Sequence, residues 1–94
     1  MGSGGYTVVI SGSNYVITCH HVSPNFIVSV NDTIEQGQLI AQVGPKNVYN
    51  FFNNPYRDEY GNPTNGATTG PHLHLSIKKD NELINPLSLF PSIL

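Results

Sequence analysis

The sequence predicts an all-β domain of short antiparallel strands, and three observations carry that expectation. β-branched and aromatic residues recur in short runs, as in Tyr6–Ile10, Asn14–His20 and Pro71–Lys79. The runs are separated by residues that favour turns, such as Ser11-Gly12-Ser13, Asn31-Asp32 and Asp80-Asn81, each of which tolerates tight backbone geometry for its own reason. Finally, no segment shows the apolar spacing of an amphipathic helix with capping residues at its ends.

Each element follows from this punctuation. Tyr6–Ile10 and Asn14–His20 read as a hairpin joined through Ser11-Gly12-Ser13. Phe26–Val30 reads as a strand closed by Asn31-Asp32, and Gln38–Val43 as another that follows a turn at Gly37. Pro71–Lys79 gives the strongest strand signal. Asp80-Asn81 then turns the chain into a short return strand, Glu82–Ile84, before the closing "NPLSLF". Asn85-Pro86 ends that strand, because proline lacks a donor and restricts the residue before it.

The bulk properties narrow the function classes. At 94 residues the chain holds a single small domain, near the size at which one core suffices. Residues 1–5, "MGSGG", read as a linker, and residues 6–94 as the domain. A formal net charge of −2 with 11% charged residues leaves no basic footprint for nucleic acid. No apolar run reaches the roughly 18 residues that a membrane-spanning helix needs. The lone Cys19 rules out an internal disulfide.

One segment departs from the strand-and-turn rhythm. Residues 45–65 form a long connection rich in Asn, Pro and Gly that also carries Tyr49, Phe51, Phe52, Tyr56 and Tyr60. Connections of this length in a small domain are usually functional or disordered, and aromatic residues argue against disorder. These five rings are candidate substrate contacts, and the alternative is that they tuck against the sheet. Arg57, Asp58 and Glu59 stand at the loop tip.

The chemistry-bearing stretch is "GATTGPHLHLSI", residues 66–77. In a strand, His72 and His74 project to one face, roughly 6–7 Å apart along the chain. Side-by-side imidazoles suit metal binding, or one can bind while the other handles protons. Alone the pair is weak evidence, since histidines in strands are more often hydrogen-bonded or surface groups. His20 and His21 are neighbours and point to opposite faces if the strand is regular.

"TTGPHLHLSI" resembles the signature of the lysostaphin-type, or LytM-like, zinc metallopeptidases, which cleave peptides of bacterial peptidoglycan. "NYVITCHHVSPN", "VSVNDTIEQGQLIAQVG" and "INPLSLF" resemble further segments of that family, in the same order. The resemblance implies that His74 ligates Zn²⁺ and that His72 and His21 are catalytic histidines, the register of "CHHVS" placing His21 inward and His20 on the surface. It also implies a peptidoglycan peptide as substrate, and a working place outside the cell, in the cell envelope or on a phage virion. The family takes two further zinc ligands from an early His-x-x-x-Asp segment, whereas no histidine precedes His20 here. The expectation is therefore the larger C-terminal part of such a domain, with two ligands supplied from outside the chain or by a companion chain. Asp32, Asp58, Glu59 and Asp80 are the carboxylates available as stand-ins, although Asp32 and Asp80 fall at turns where Asp is favoured locally.

Other classes account for the sequence less well, with one exception. "VNDTIEQGQLIAQV" also resembles the rhythm of biotinyl- and lipoyl-carrier domains, but Lys46, Lys78 and Lys79 do not occupy a hairpin tip of the kind those domains modify. Cys19 and His21 lack the helix N-terminus or orienting acid of a cysteine hydrolase. The exception is a catalytically inactive module of the same family type, serving as a binding or assembly scaffold. The reading frame upstream of Met1 discriminates it from the enzyme.

Overall fold

The computed structural model describes residues 1–89. It contains four strands in one antiparallel sheet, ordered as in the chain: β1 (Thr7–Gly12), β2 (Tyr15–His20), β3 (His74–Lys79) and β4 (Glu82–Ile84). A short 3₁₀ helix, Pro86–Leu89, follows β4. The all-β architecture is the one the sequence predicts.

Both hairpins form where turn residues place them. β1 continues through Gly12, so the first turn is Ser13-Asn14, with Ser13 at φ 51°. At the second, Asp80 and Asn81 both take positive φ, 52° and 66°, the backbone that matches the right-handed twist of a two-residue hairpin. The two turns clasp each other. Asn14 Nδ2 donates to Asp80 Oδ1 at 2.9 Å, and the Asp80 amide donates to the Asn14 carbonyl at 2.9 Å. Asp80 is thus occupied locally.

Strand register decides which side chains share a face, since directly paired residues project together. Val8 pairs with Cys19 and Cys19 with Leu75, while Ile10 pairs with Ile17, Ile17 with Ile77 and Ile77 with Ile84. This face is the core side. Val8, Cys19 and Val22 are buried, with Tyr6, Ile10, Ile17, Val28, Ile40, Ala41 and Leu75 packed against them. The opposite face carries Thr7, His20 and His74 in one row across three strands.

Two expected strands are absent. Phe26–Val30 and Gln38–Val43 have no strand pairing beyond a single bridge, Val22 with Val43. Their apolar residues serve another purpose: Val28, Ile40 and Ala41 cover the core face of the sheet. A segment laid over a face meets side chains rather than an unpaired backbone edge, so it buries apolar surface without forming a ladder. Its backbone turns locally instead. Asp32 accepts from the Ser29 amide at 2.8 Å with Asn31 at φ 75°, and Gly37 turns at φ 83°.

The glycine-rich opening is hydrogen-bonded into the domain. Ala67 donates to the Ser3 carbonyl at 2.7 Å, His21 to the Gly4 carbonyl at 2.7 Å, and Gly5 to the Gly2 carbonyl at 3.0 Å. Composition cannot reveal this, because the contacts are made by backbone alone. Phe90, the last residue of the closing motif, and residues 91–94 lie outside the described residues.

Candidate functional site

Four imidazoles converge where β2 ends and β3 begins. Ring centres lie 5.1 Å apart for His20 and His74, 4.8 Å for His21 and His72, 6.3 Å for His20 and His21, and 6.4 Å for His21 and His74. A cleft of about 270 Å³ is lined by Ser3, Gly4, His20, His21, Ala67 and His74.

The convergence of the neighbours His20 and His21 corrects the expectation that one faces the surface. β2 stops at His20, and His21 adopts φ 60°. A non-glycine residue in this left-handed region costs about 1–2 kcal/mol, and it breaks the alternation that would send the two rings to opposite faces. His20 is half-buried in the cleft rather than lying free on the surface.

Three hydrogen bonds hold His21 in that conformation. Its amide donates to Gly4, its carbonyl accepts from Gly44 at 2.9 Å, and its Nδ1–H donates to the Asn65 carbonyl at 2.6 Å. A carbonyl can only accept, so Nδ1 carries the proton and, in the neutral ring, Nε2 carries the lone pair. Such backbone anchoring is how reactive or ligating histidines are oriented.

Asn65 is the hub that sequence reading missed. It is fully buried. Its Oδ1 accepts from the Tyr6 amide at 2.8 Å, its Nδ2 donates to the Val22 carbonyl at 2.9 Å, and its own amide donates to the Lys46 carbonyl at 2.9 Å. One residue therefore ties β1, the end of β2 and the long loop to His21. The only signal in the sequence was "NG", Asn65-Gly66, which reads equally well as an ordinary turn.

His72 precedes β3 instead of lying within it, so the two histidines of "HLH" do not share a regular strand face. Pro71 and the turn at Thr68–Gly70 keep the chain out of the ladder up to that point. His72 Nδ1 lies 3.0 Å from the Gly70 carbonyl and 3.1 Å from Thr68 Oγ1, which fixes the same tautomer as in His21. His74 is exposed at the start of β3, directly opposite His20. Burial first, then the charges of His74 and His21, push the His20 imidazole below its ordinary value. Its Nδ1 lies 3.5 Å from Thr7 Oγ1, whose hydroxyl donates to the Gly5 carbonyl.

The loop aromatics are not part of this cleft. Phe52, Tyr60 and Tyr49 are exposed, at 87%, 79% and 69%, whereas Tyr56 is half-buried. Phe51 meets the Tyr6 ring edge-on at 6.0 Å, and Tyr6 meets Phe26 in the same way. The loop is an ordered structure. Asn54 is buried and donates to the Thr64 carbonyl, and Asn47 bridges to Thr64.

The carboxylates do not complete a metal site. Asp58 accepts from the Tyr60 and Asn62 amides and from Asn47 Nδ2, and pairs with Lys46 at 3.2 Å. Burial raises its pKa, but those hydrogen bonds outweigh burial and hold it at about 2. It organises the loop tip. Among the described residues no group of three or more His, Cys, Asp or Glu side chains is placed to hold a metal ion. The Nε2-directed imidazoles have the right donor chemistry for zinc, yet the described residues do not gather the three protein ligands of a catalytic site. Cys19 faces the core, where burial raises its thiol pKa, so it is not a nucleophile candidate.

No helix among the described residues is long and apolar enough to cross a membrane. No family model, curated protein or solved structure matches the chain.

Proposed function

We propose that this domain is the larger part of a zinc endopeptidase domain that hydrolyses peptidoglycan peptides, working outside the cell in the envelope or on a phage virion. The observation that carries the reading is the convergence of His21 with His72 and His74, 51 and 53 positions later in the sequence, onto one corner of the sheet. The ordered resemblance to the lysostaphin-type peptidases supplies the substrate class. His74 is the ligand this chain contributes, and two further ligands come from outside it.

His21 and His72 then do the proton work. Each holds Nδ1–H on a backbone carbonyl, so Nε2 is the atom that takes a proton from an attacking water or, once protonated, gives one to a leaving amine. Because both rings are held by backbone rather than by mobile side chains, little reorganisation accompanies the transfer.

The test is release of peptide fragments from purified cell-wall preparations, using the chain joined to the sequence encoded upstream of Met1. His74→Ala abolishes release and metal binding. His21→Ala and His72→Ala each lower turnover by about 10²–10⁴-fold while retaining more of the metal. Wild-type hydrolysis by all three variants overturns the assignment.

A second reading is favoured by one observation, the missing three-ligand group. In that reading the domain is a non-catalytic scaffold that binds or assembles through the same face, and no variant of the full-length protein changes cell-wall hydrolysis because there is none.

A further inference from the structure

The two edges of the sheet are built differently. β4 is three residues long, carries the exposed Glu82 and is soon followed by Pro86; short length, charge and proline all keep an edge from pairing further. β1 is six residues long and has neither charge nor proline. Among the described residues no strand or bridge pairs with its outer side. An open groove of about 500 Å³, lined by Val8, Val9, Ile10 and Ser11 and by residues 28–34, leaves room beside it.

Register fixes which backbone groups of β1 face outward. The Tyr6 carbonyl accepts from the Val22 amide, on the β2 side. Backbone groups alternate sides along an antiparallel strand, so Val8, Ile10 and Gly12 also turn theirs to β2. Thr7, Val9 and Ser11 turn theirs outward, and none of these amides and carbonyls has a partner among the described residues. Residues 7–11 read Thr-Val-Val-Ile-Ser. That order is chemically the same from either end: hydroxyl, branched apolar, Val9, branched apolar, hydroxyl. The Val9 side chain is 59% exposed, on the face away from the core.

From this we infer that β1 is a self-recognition surface whose occupant is a second copy of the chain, paired antiparallel about a two-fold axis through Val9. In that register Val9 meets the partner's Val9, and Thr7 meets the partner's Ser11. Every outward residue then faces an outward residue, and each pair exchanges both of its backbone bonds. Cross-strand pairs of hydroxyl and of branched residues are themselves favourable. The two exposed valines cover each other, and no charge enters the joint. A shift of one residue sets outward groups against inward ones and loses this ladder. Because the β4 edge is guarded, association closes at two copies, as a two-fold interface does. The inference uses none of the histidines and stands or falls apart from the peptidase reading.

The probe is the 94-residue chain itself, sedimented over a series of concentrations. Its mass rises from one chain to two and no further. Over the same series, hydrogen exchange slows at the Thr7, Val9 and Ser11 amides, while Val8 and Ile10, already bonded to β2, change little. Those wild-type data need no substitution, so they decide the matter even if a variant misfolds. Val9→Lys weakens the dimer by at least about tenfold, because it sets two like charges directly opposite each other. Val9→Glu does the same. An equimolar mixture of the two variants dimerises again, since an axis through position 9 places lysine against glutamate. A wild-type chain that stays monomeric at every concentration overturns the proposal, whatever else pairs with β1. So does a Val9→Lys dimer as tight as the wild type, assembly beyond two copies, or a variant mixture that stays apart.

Discussion

His21 Nδ1 lies 2.6 Å from the carbonyl oxygen of Asn65, forty-four positions later in the chain. That bond joins the end of β2 to the base of the long loop, and it is the reason a residue with φ 60° presents a defined nitrogen to the cleft. The side chain of Asn65 secures the same junction from the other side through Tyr6 and Val22.

Asn65→Ala removes both side-chain bonds and leaves the part-buried Tyr6 amide and the buried Val22 carbonyl unpaired. Each such orphan costs about 1–3 kcal/mol, so the variant loses about 2–6 kcal/mol by urea denaturation. Asn65→Asp fares no better, since it swaps a donor to the Val22 carbonyl for a buried acceptor. A loss below about 0.5 kcal/mol, the ordinary range of surface substitutions, contradicts the hub role.

Gly4→Ala tests the packing over His20. The added carbon meets the imidazole ring, and overpacking of this kind costs about 1–3 kcal/mol. The His20 ring resonances shift in the variant while those of Lys78 and Lys79, at the far end of β3, stay where they are. Unchanged His20 resonances contradict the close approach.

The loop tip depends on pH through Asp58. Its folded pKa, about 2, lies below the ordinary value of 3.8, so the folded state binds the proton less readily than the unfolded chain. The stability from this group is complete above pH 4 and is lost as the pH falls from about 4 through 2. The amide resonances of Tyr60 and Asn62 report it, moving together with a midpoint near 2 in the wild type. In Asp58→Asn they show no such transition.

The loop aromatics divide by exposure. Phe52→Ser and Tyr60→Ser leave stability within about 0.5 kcal/mol and, under the proposed peptidase function, weaken binding of its peptide substrate. Phe51→Ala is destabilising, because its ring packs on Tyr6 and edge-to-face pairs contribute about 0.5–1.5 kcal/mol beyond burial. Thermal melts and substrate-binding titrations separate the two groups. Replacing the whole of residues 45–65 by a short turn unfolds the domain, since Asn54, Thr64 and Asn65 are buried there.

How much of this was legible in the sequence depended on whether a signal was local. β1, β2, β3 and β4 could be read, because strand preference and turn residues are encoded within a few positions of one another. Phe26–Val30 and Gln38–Val43 carry the same β-branched composition but lie over a face, and composition does not distinguish a paired strand from a covering segment. His21, His72 and His74 were legible as candidates through their motif. His20 was not, because strand alternation predicts the wrong side once His21 takes a left-handed backbone. Asn65 and residues 3–5 act through backbone contacts between distant segments, which no short pattern announces.

The orientation of the His21 ring bears most directly on the account, since an Nε2 lone pair aimed at the cleft underlies its part in the proposed chemistry. A long-range ¹H–¹⁵N imidazole spectrum of the labelled chain, recorded where the rings are neutral, reads the tautomer of each histidine. The structure predicts Nδ1–H with an unprotonated Nε2 for His21 and His72, and for His21 a slowly exchanging Nδ1 proton held on the Asn65 carbonyl. An Nε2–H tautomer at His21, or a ring proton exchanging as fast as in an exposed histidine, contradicts it.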